Sequence, residues 1–105
     1  MEFIFKKQGD MLIVQMQGEL DHHSSNSFRD TLEGMINKTN AKKLLLDFKG
    51  VPFMDSSGVG VIIGRYKSIS RKGGQIWVTN LSPQVKKVME ISGLFKIIKL
   101  QKQIY

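Results

Sequence analysis

The stretch LLLDFKGVPFMDSSGVGVII, residues 44–63, carries a strand into a helix through a short connection. Leu44, Leu45 and Leu46 form a continuous apolar run, which suits a strand covered on both faces. Gly50-Val51-Pro52 interrupts the run and Phe53-Met54 resumes it. Asp55-Ser56-Ser57-Gly58 then opens a helix whose apolar residues Val59, Ile62, Ile63, Tyr66 and Ile69 fall in helical register. Gly73-Gly74 closes that helix. A strand feeding directly into a helix is the unit of an α/β sheet, and the carboxyl end of such a strand is where partners and ligands meet the fold.

The same reading extends in both directions. Upstream, Glu2 to Lys7 and Met11 to Met16 alternate as strands, with Gln8-Gly9-Asp10 as a hairpin turn and Gly18 as a breaker. Phe28, Leu32, Met35 and Ile36 then mark one face of a helix, started by Ser24 or Ser25 and closed by Asn37 to Ala41. Downstream, Gln75 to Thr79 is a strand in which Trp77 is expected in the core. Ser82-Pro83 starts a third helix with Val85, Val88 and Met89 inside, Gly93 stops it, and Ile97, Ile98 and Leu100 make a last strand. The order β-β-α-β-α-β-α-β predicts an α/β fold: a mixed sheet, an opening hairpin followed by alternating βα units with parallel core pairs, flanked by helices. One domain spans 1–105.

Composition narrows the function classes. With 41% hydrophobic and 24% charged residues, the chain has the makings of a folded core. No apolar run approaches the roughly 18 residues of a membrane span, and Phe3-Ile4-Phe5 precedes Lys6-Lys7, the reverse of a signal peptide. A cytoplasmic protein is expected. There are no cysteines, and His22 and His23 are adjacent, so their side chains diverge. Neither a metal site nor any cofactor is expected. The net charge of +7 raises nucleic acid or an acidic partner surface. Its cations are scattered as Lys6-Lys7, Lys42-Lys43, Arg71-Lys72, Lys86-Lys87 and Lys96, Lys99, Lys102, the pattern of a solvated surface.

Asp55-Ser56-Ser57-Gly58 admits two readings. As an ordinary cap, its aspartate or a serine satisfies the free N–H groups of the helix start. As a modification site, Ser57 offers a hydroxyl where a phosphate would find N–H donors and the positive end of the helix dipole. Gly58 and Gly60 remove side chains on either side of Val59, so a second surface can approach. One hydroxyl can serve both readings.

Met54-Asp55-Ser56-Ser57-Gly58-Val59-Gly60 resembles the phosphorylation motif of bacterial anti-sigma factor antagonists, in the STAS domain family. Gly18-Glu19-Leu20-Asp21-His22-His23, Gly64-Arg65-Tyr66-Lys67, Ser82-Pro83 and Ser92-Gly93-Leu94-Phe95-Lys96-Ile97-Ile98 extend the likeness over about the whole chain and closely resemble the sporulation anti-sigma F branch. The resemblance implies that Ser57 is phosphorylated by the partner anti-sigma factor, itself an ATP-dependent serine kinase. The unphosphorylated form would bind that kinase and displace its sigma factor; a PP2C-type phosphatase would restore it. Ser57 is then a substrate and not a nucleophile. Contact with the partner is expected at Glu19, Asp21, Asp55, Ser56, Ser57, Gly58, Gly60 and Arg65, with Arg65 on an exposed helix face. The two histidines are expected to fix the Glu19–Asp21 loop by hydrogen bonds. The family adds a C-terminal helix, for which Gln101 to Tyr105 has room for one turn at most.

Two other classes compete. A basic nucleic-acid-binding domain would use the +7 charge, although its aromatic residues lie in apolar positions that leave few for base stacking. A small hydrolase would use Ser57 and Asp55, but neither histidine has an orienting partner.

Overall fold

The computed structural model describes residues 1–101. The chain order is β1 (Glu2–Gln8), β2 (Met11–Gln17), α1 (Ser25–Thr39), β3 (Lys43–Gly50), α2 (Ser56–Ser70), β4 (Gln75–Thr79), α3 (Pro83–Ile91) and β5 (Lys99–Leu100). The five strands lie side by side in the order β1-β2-β3-β4-β5. β1 is antiparallel to β2 through a tight turn at Gly9-Asp10, where Gly9 takes φ 59°, and all other pairs are parallel. This is the mixed α/β sheet expected from the order of elements.

Successive right-handed crossovers that step across a sheet in one direction place every helix on the same face. Leu12, Val14, Met16, Leu44, Leu46, Phe48, Ile76 and Val78 of the sheet accordingly form one core with Phe28, Leu32 and Ile36 of α1, Val59, Val61, Ile62 and Ile69 of α2, and Val85 and Met89 of α3. Ile63 and Tyr66 pack at the margin of that core. Trp77 differs from expectation. It pairs in register with Leu45, which pairs with Ile13, on the face turned away from the helices, and it is half-buried. Its neighbours Ile76 and Val78 take the two inward positions of this five-residue strand.

The last strand is also shorter than expected. The backbone N–H groups of Ile97 and Ile98 both donate to the Leu94 carbonyl, at 3.0 and 3.1 Å, in a 3₁₀ turn over Leu94–Lys96. Those two residues are therefore tied to the turn, and sheet pairing begins at Lys99. Ile98 still reaches the core. The single C-terminal turn anticipated over Gln101 to Tyr105 falls, apart from Gln101, outside the described residues.

Candidate functional site

β2 and β3 do not part company at their carboxyl ends. Gly18 N–H donates to the Gly50 carbonyl (3.0 Å), Leu20 N–H to Phe53 (2.9 Å), and Asp55 N–H to Leu20 (3.1 Å). Leu20 and Met54 form an isolated parallel bridge. The loop that leads into α1 and the segment that leads into α2 are thus sewn together, which brings Glu19 and Asp21 alongside Phe53 and Asp55.

α2 starts on that seam. Asp55 is its cap: Oδ1 accepts the Ser57 backbone N–H at 2.8 Å. The cap reading of the motif is therefore met by the aspartate, and Ser57 lies in the first turn. Ser57 is half-buried and Ser56 exposed. Among the described residues, neither hydroxyl makes a hydrogen bond. With the aspartate as cap, the Ser57 side chain is left uncommitted.

Before α1, Asp21 Oδ1 accepts the backbone N–H groups of His23 and Ser24, each at 3.0 Å. Ser24 Oγ accepts the Asp21 N–H at 3.0 Å and lies 2.8 Å from the Glu19 carbonyl. This reciprocal pattern is a capping box with serine in place of the usual Glu or Gln. Asp21 thus does the side-chain capping expected of Ser24 or Ser25, one turn ahead of Ser25–Thr39. The Ser24 backbone N–H is the main reason that the Asp21 carboxyl lies below its ordinary value; partial burial opposes the shift and the His23 N–H adds to it. Glu19 is exposed. The histidines contribute backbone groups: His23 through its N–H to Asp21, and His22 through its carbonyl to Ser25 Oγ at 3.1 Å. Their rings stand edge to face 6.0 Å apart on the surface.

Two expected contact residues need correction. Gly58 is buried, and a Cβ there would meet Met54 Cγ at 2.7 Å and Leu20 Cγ at 2.8 Å. Its missing side chain makes room for the seam inside this chain and not for an approaching partner. Gly60 is exposed, and a Cβ on it would meet nothing within 4 Å, so the open approach is real there. Arg65 is not an exposed cation. Its side chain is 11% exposed and its Nε lies 2.8 Å from Glu33 Oε1 of α1, close in charge but not aligned as a hydrogen bond. Ser68 Oγ reaches the other Glu33 oxygen at 3.5 Å. Arg65 joins α1 to α2.

Three residues at the site were not anticipated. Phe53 is 38% exposed and shares the outward side of the seam with Asp55, while Met54 points inward and is fully buried. Gln84, at the start of α3, bonds both polar groups of the Met54 backbone. Ser82, the α3 cap, also donates to the Pro52 carbonyl at 3.2 Å. Phe53 carried a weak sequence signal as an apolar residue next to the motif. Gln84 carried none, because it lies 30 positions from its partner.

Among the described residues, no group of three or more His, Cys, Asp or Glu side chains is placed to hold a metal, and no helix is long and apolar enough to cross a membrane.

The comparisons with known proteins bear on this architecture. A model of the STAS domain matches residues 2–105. The chain belongs to the STAS domain family. An anti-sigma F factor antagonist of Paenibacillus polymyxa is 44% identical over 90 residues, covering 86% of this chain and 77% of that protein. The solved structure of the anti-sigma factor antagonist SpoIIAA in its unphosphorylated form superimposes with a TM-score of 0.84 at 29% identity, covering 98% of this chain and 89% of that one. The phosphorylated form of the Bacillus SpoIIAA superimposes at 0.75 with 28% identity, over 98% of this chain and 92% of that one. The nucleic-acid reading gains no support from these relatives.

Proposed function

We propose that this STAS domain is a cytoplasmic anti-sigma factor antagonist switched by phosphorylation of Ser57. The unphosphorylated form binds an anti-sigma factor that is also an ATP-dependent serine kinase, and the sigma factor held by that kinase goes free. Phosphate on Ser57 ends the binding, and a PP2C-type phosphatase renews it. The domain is the substrate in this cycle and supplies no catalytic residue, and a role in sporulation is part of this reading.

The observation that carries the reading is the uncommitted Ser57 hydroxyl in the first turn of α2, beside an aspartate that already caps the helix. A phosphate there adds about −1.5 to −2 charge and three acceptor oxygens. The helix start tolerates that charge, so the domain stays folded. The surroundings change sharply nonetheless, because the phosphate joins the carboxylates of Glu19, Asp21 and Asp55 on the seam. A dianion forced into a close-packed interface carries a desolvation cost, and about 2.7 kcal/mol of it lowers affinity roughly a hundredfold.

Incubation with the cognate anti-sigma factor and ATP, followed by mass spectrometry, tests the assignment. One phosphate on Ser57 is expected in wild type and none in Ser57→Ala, with Ser57→Asp losing affinity for the kinase. Undiminished phosphate incorporation into Ser57→Ala would sink it.

A further inference from the structure

Residues 53–55 are extended, so their backbone polar groups point alternately to two sides. The Phe53 carbonyl and the Asp55 N–H face Leu20 and are paired there. The Met54 N–H and carbonyl face the opposite side, toward α3, where no strand follows. Met54 is fully buried, and unpaired backbone groups in such a place are costly. Gln84 supplies both partners. Its Oε1 accepts the Met54 N–H at 3.0 Å and its Nε2 donates to the Met54 carbonyl at 3.1 Å. A primary amide carries a donor and an acceptor side by side, as a peptide group does. The Gln84 side chain therefore stands in for a one-residue strand.

We propose that Gln84 is a positioning residue for the Ser57 switch, an inference that rests on the reading of Ser57 given above. It touches neither Ser57 nor the phosphate. It holds the Met54 peptide from the α3 side while Leu20 holds its neighbours from the other, and so fixes Asp55, the cap that binds the Ser57 N–H, and presents Phe53 outward. A segment clamped on both sides reaches a partner already ordered, and docking costs less conformational entropy. Releasing the Gln84 side moves that cost into binding, which raises KM for the domain as kinase substrate and leaves the chemical step nearly unchanged. The chemistry is specific to glutamine: glutamate at this position has no donor for the Met54 carbonyl, and asparagine is one methylene short.

The test combines amide exchange with phosphorylation kinetics on the full chain, using the cognate anti-sigma factor and ATP. In Gln84→Ala, which removes both bonds, exchange of the Met54 N–H is expected to rise about tenfold while that of Leu46 and Val78 stays as in wild type; Gln84→Glu keeps the acceptor for that N–H and loses only the donor to the Met54 carbonyl. KM is expected to rise about fivefold, with kcat within about twofold. Met89→Ala serves as control, since it removes buried packing of α3 without touching a polar group of residues 52–54. If KM follows melting temperature in the same way in Met89→Ala and Gln84→Ala, the role is only structural and the proposal falls. Unchanged Met54 exchange, or unchanged KM, overturns it with the Ser57 reading intact. A wild-type domain that takes no phosphate on Ser57 overturns both.

Discussion

A Cβ on Gly58 would stand 2.8 Å from Cγ of Leu20, a residue 38 positions earlier in the chain. Leu20 is fully buried and its backbone is bonded to Phe53 and Asp55, so it cannot retreat without opening the seam. The glycine in the motif is therefore a packing requirement of the two sewn segments.

Gly58→Ala is expected to destabilise the domain by about 1–3 kcal/mol, the usual cost of overfilling a packed site. Gly60→Ala meets nothing within 4 Å and removes a flexible residue from a helix, so it is expected to stabilise by up to about 1 kcal/mol. Urea denaturation of the two variants checks the contrast. Kinase binding adds a second readout: if the partner packs close to α2, Gly60→Ala binds more weakly despite its greater stability.

Phe53 exposes an aromatic ring on the segment that leads into Ser57 and lies outside the core. Central aromatic side chains carry much of the energy of protein interfaces. Phe53→Ala is expected to lower affinity for the anti-sigma factor at least about tenfold, or 1.4 kcal/mol, with the melting temperature little changed. Calorimetric titration against the purified kinase measures this, and an affinity equal to wild type would remove Phe53 from the interface.

Arg65 faces Glu33 from α2 to α1, with the glutamate side chain 35% exposed. Solvent at Glu33 screens the pair, so removing the cation costs less than in a dry core. Arg65→Ala is expected to destabilise by about 1–2 kcal/mol, most of it lost packing of the guanidinium stem. Phosphorylation of Ser57 in the folded variant is expected to match wild type. A double-mutant cycle with Glu33→Ala separates the pair from the packing.

The Asp21 carboxyl titrates below its ordinary value of 3.8 because the folded chain donates hydrogen bonds to the carboxylate, first from the Ser24 N–H. Folding therefore favours the ionised form. The stability this contributes is complete above the unfolded value and is lost as pH falls through the lowered folded value. The difference in melting temperature between wild type and Asp21→Ala is expected to be constant near neutrality and to shrink below about pH 4. A gap that widens on acidification would contradict the capping role.

The elements themselves were legible because each is encoded by neighbours in sequence. Periodicity placed α1, α2 and α3, and the alternation of strand and helix implied the parallel core. The serine cap of α3 at Ser82 and the aspartate cap reading at Asp55 were local signals as well. Errors arose where another group, in a neighbouring turn or far along the chain, claims the same atoms. Ile97 and Ile98 look like strand residues, but their N–H groups are taken by Leu94. Arg65 looks like a surface cation, yet Glu33 comes to meet it from another helix. Gly58 looks open to a partner until Leu20 and Met54 are brought beneath it.

By itself the amino-acid order determined an α/β fold with a serine at the start of its second helix, because hydrophobic period, caps and turn residues act within a few positions of one another. Folding alone decided what surrounds that serine. The Leu20–Met54 bridge, the Gln84 clamp and the Arg65–Glu33 contact join residues 30 or more positions apart. Such pairings depend on how the crossovers stack, and no local pattern encodes them.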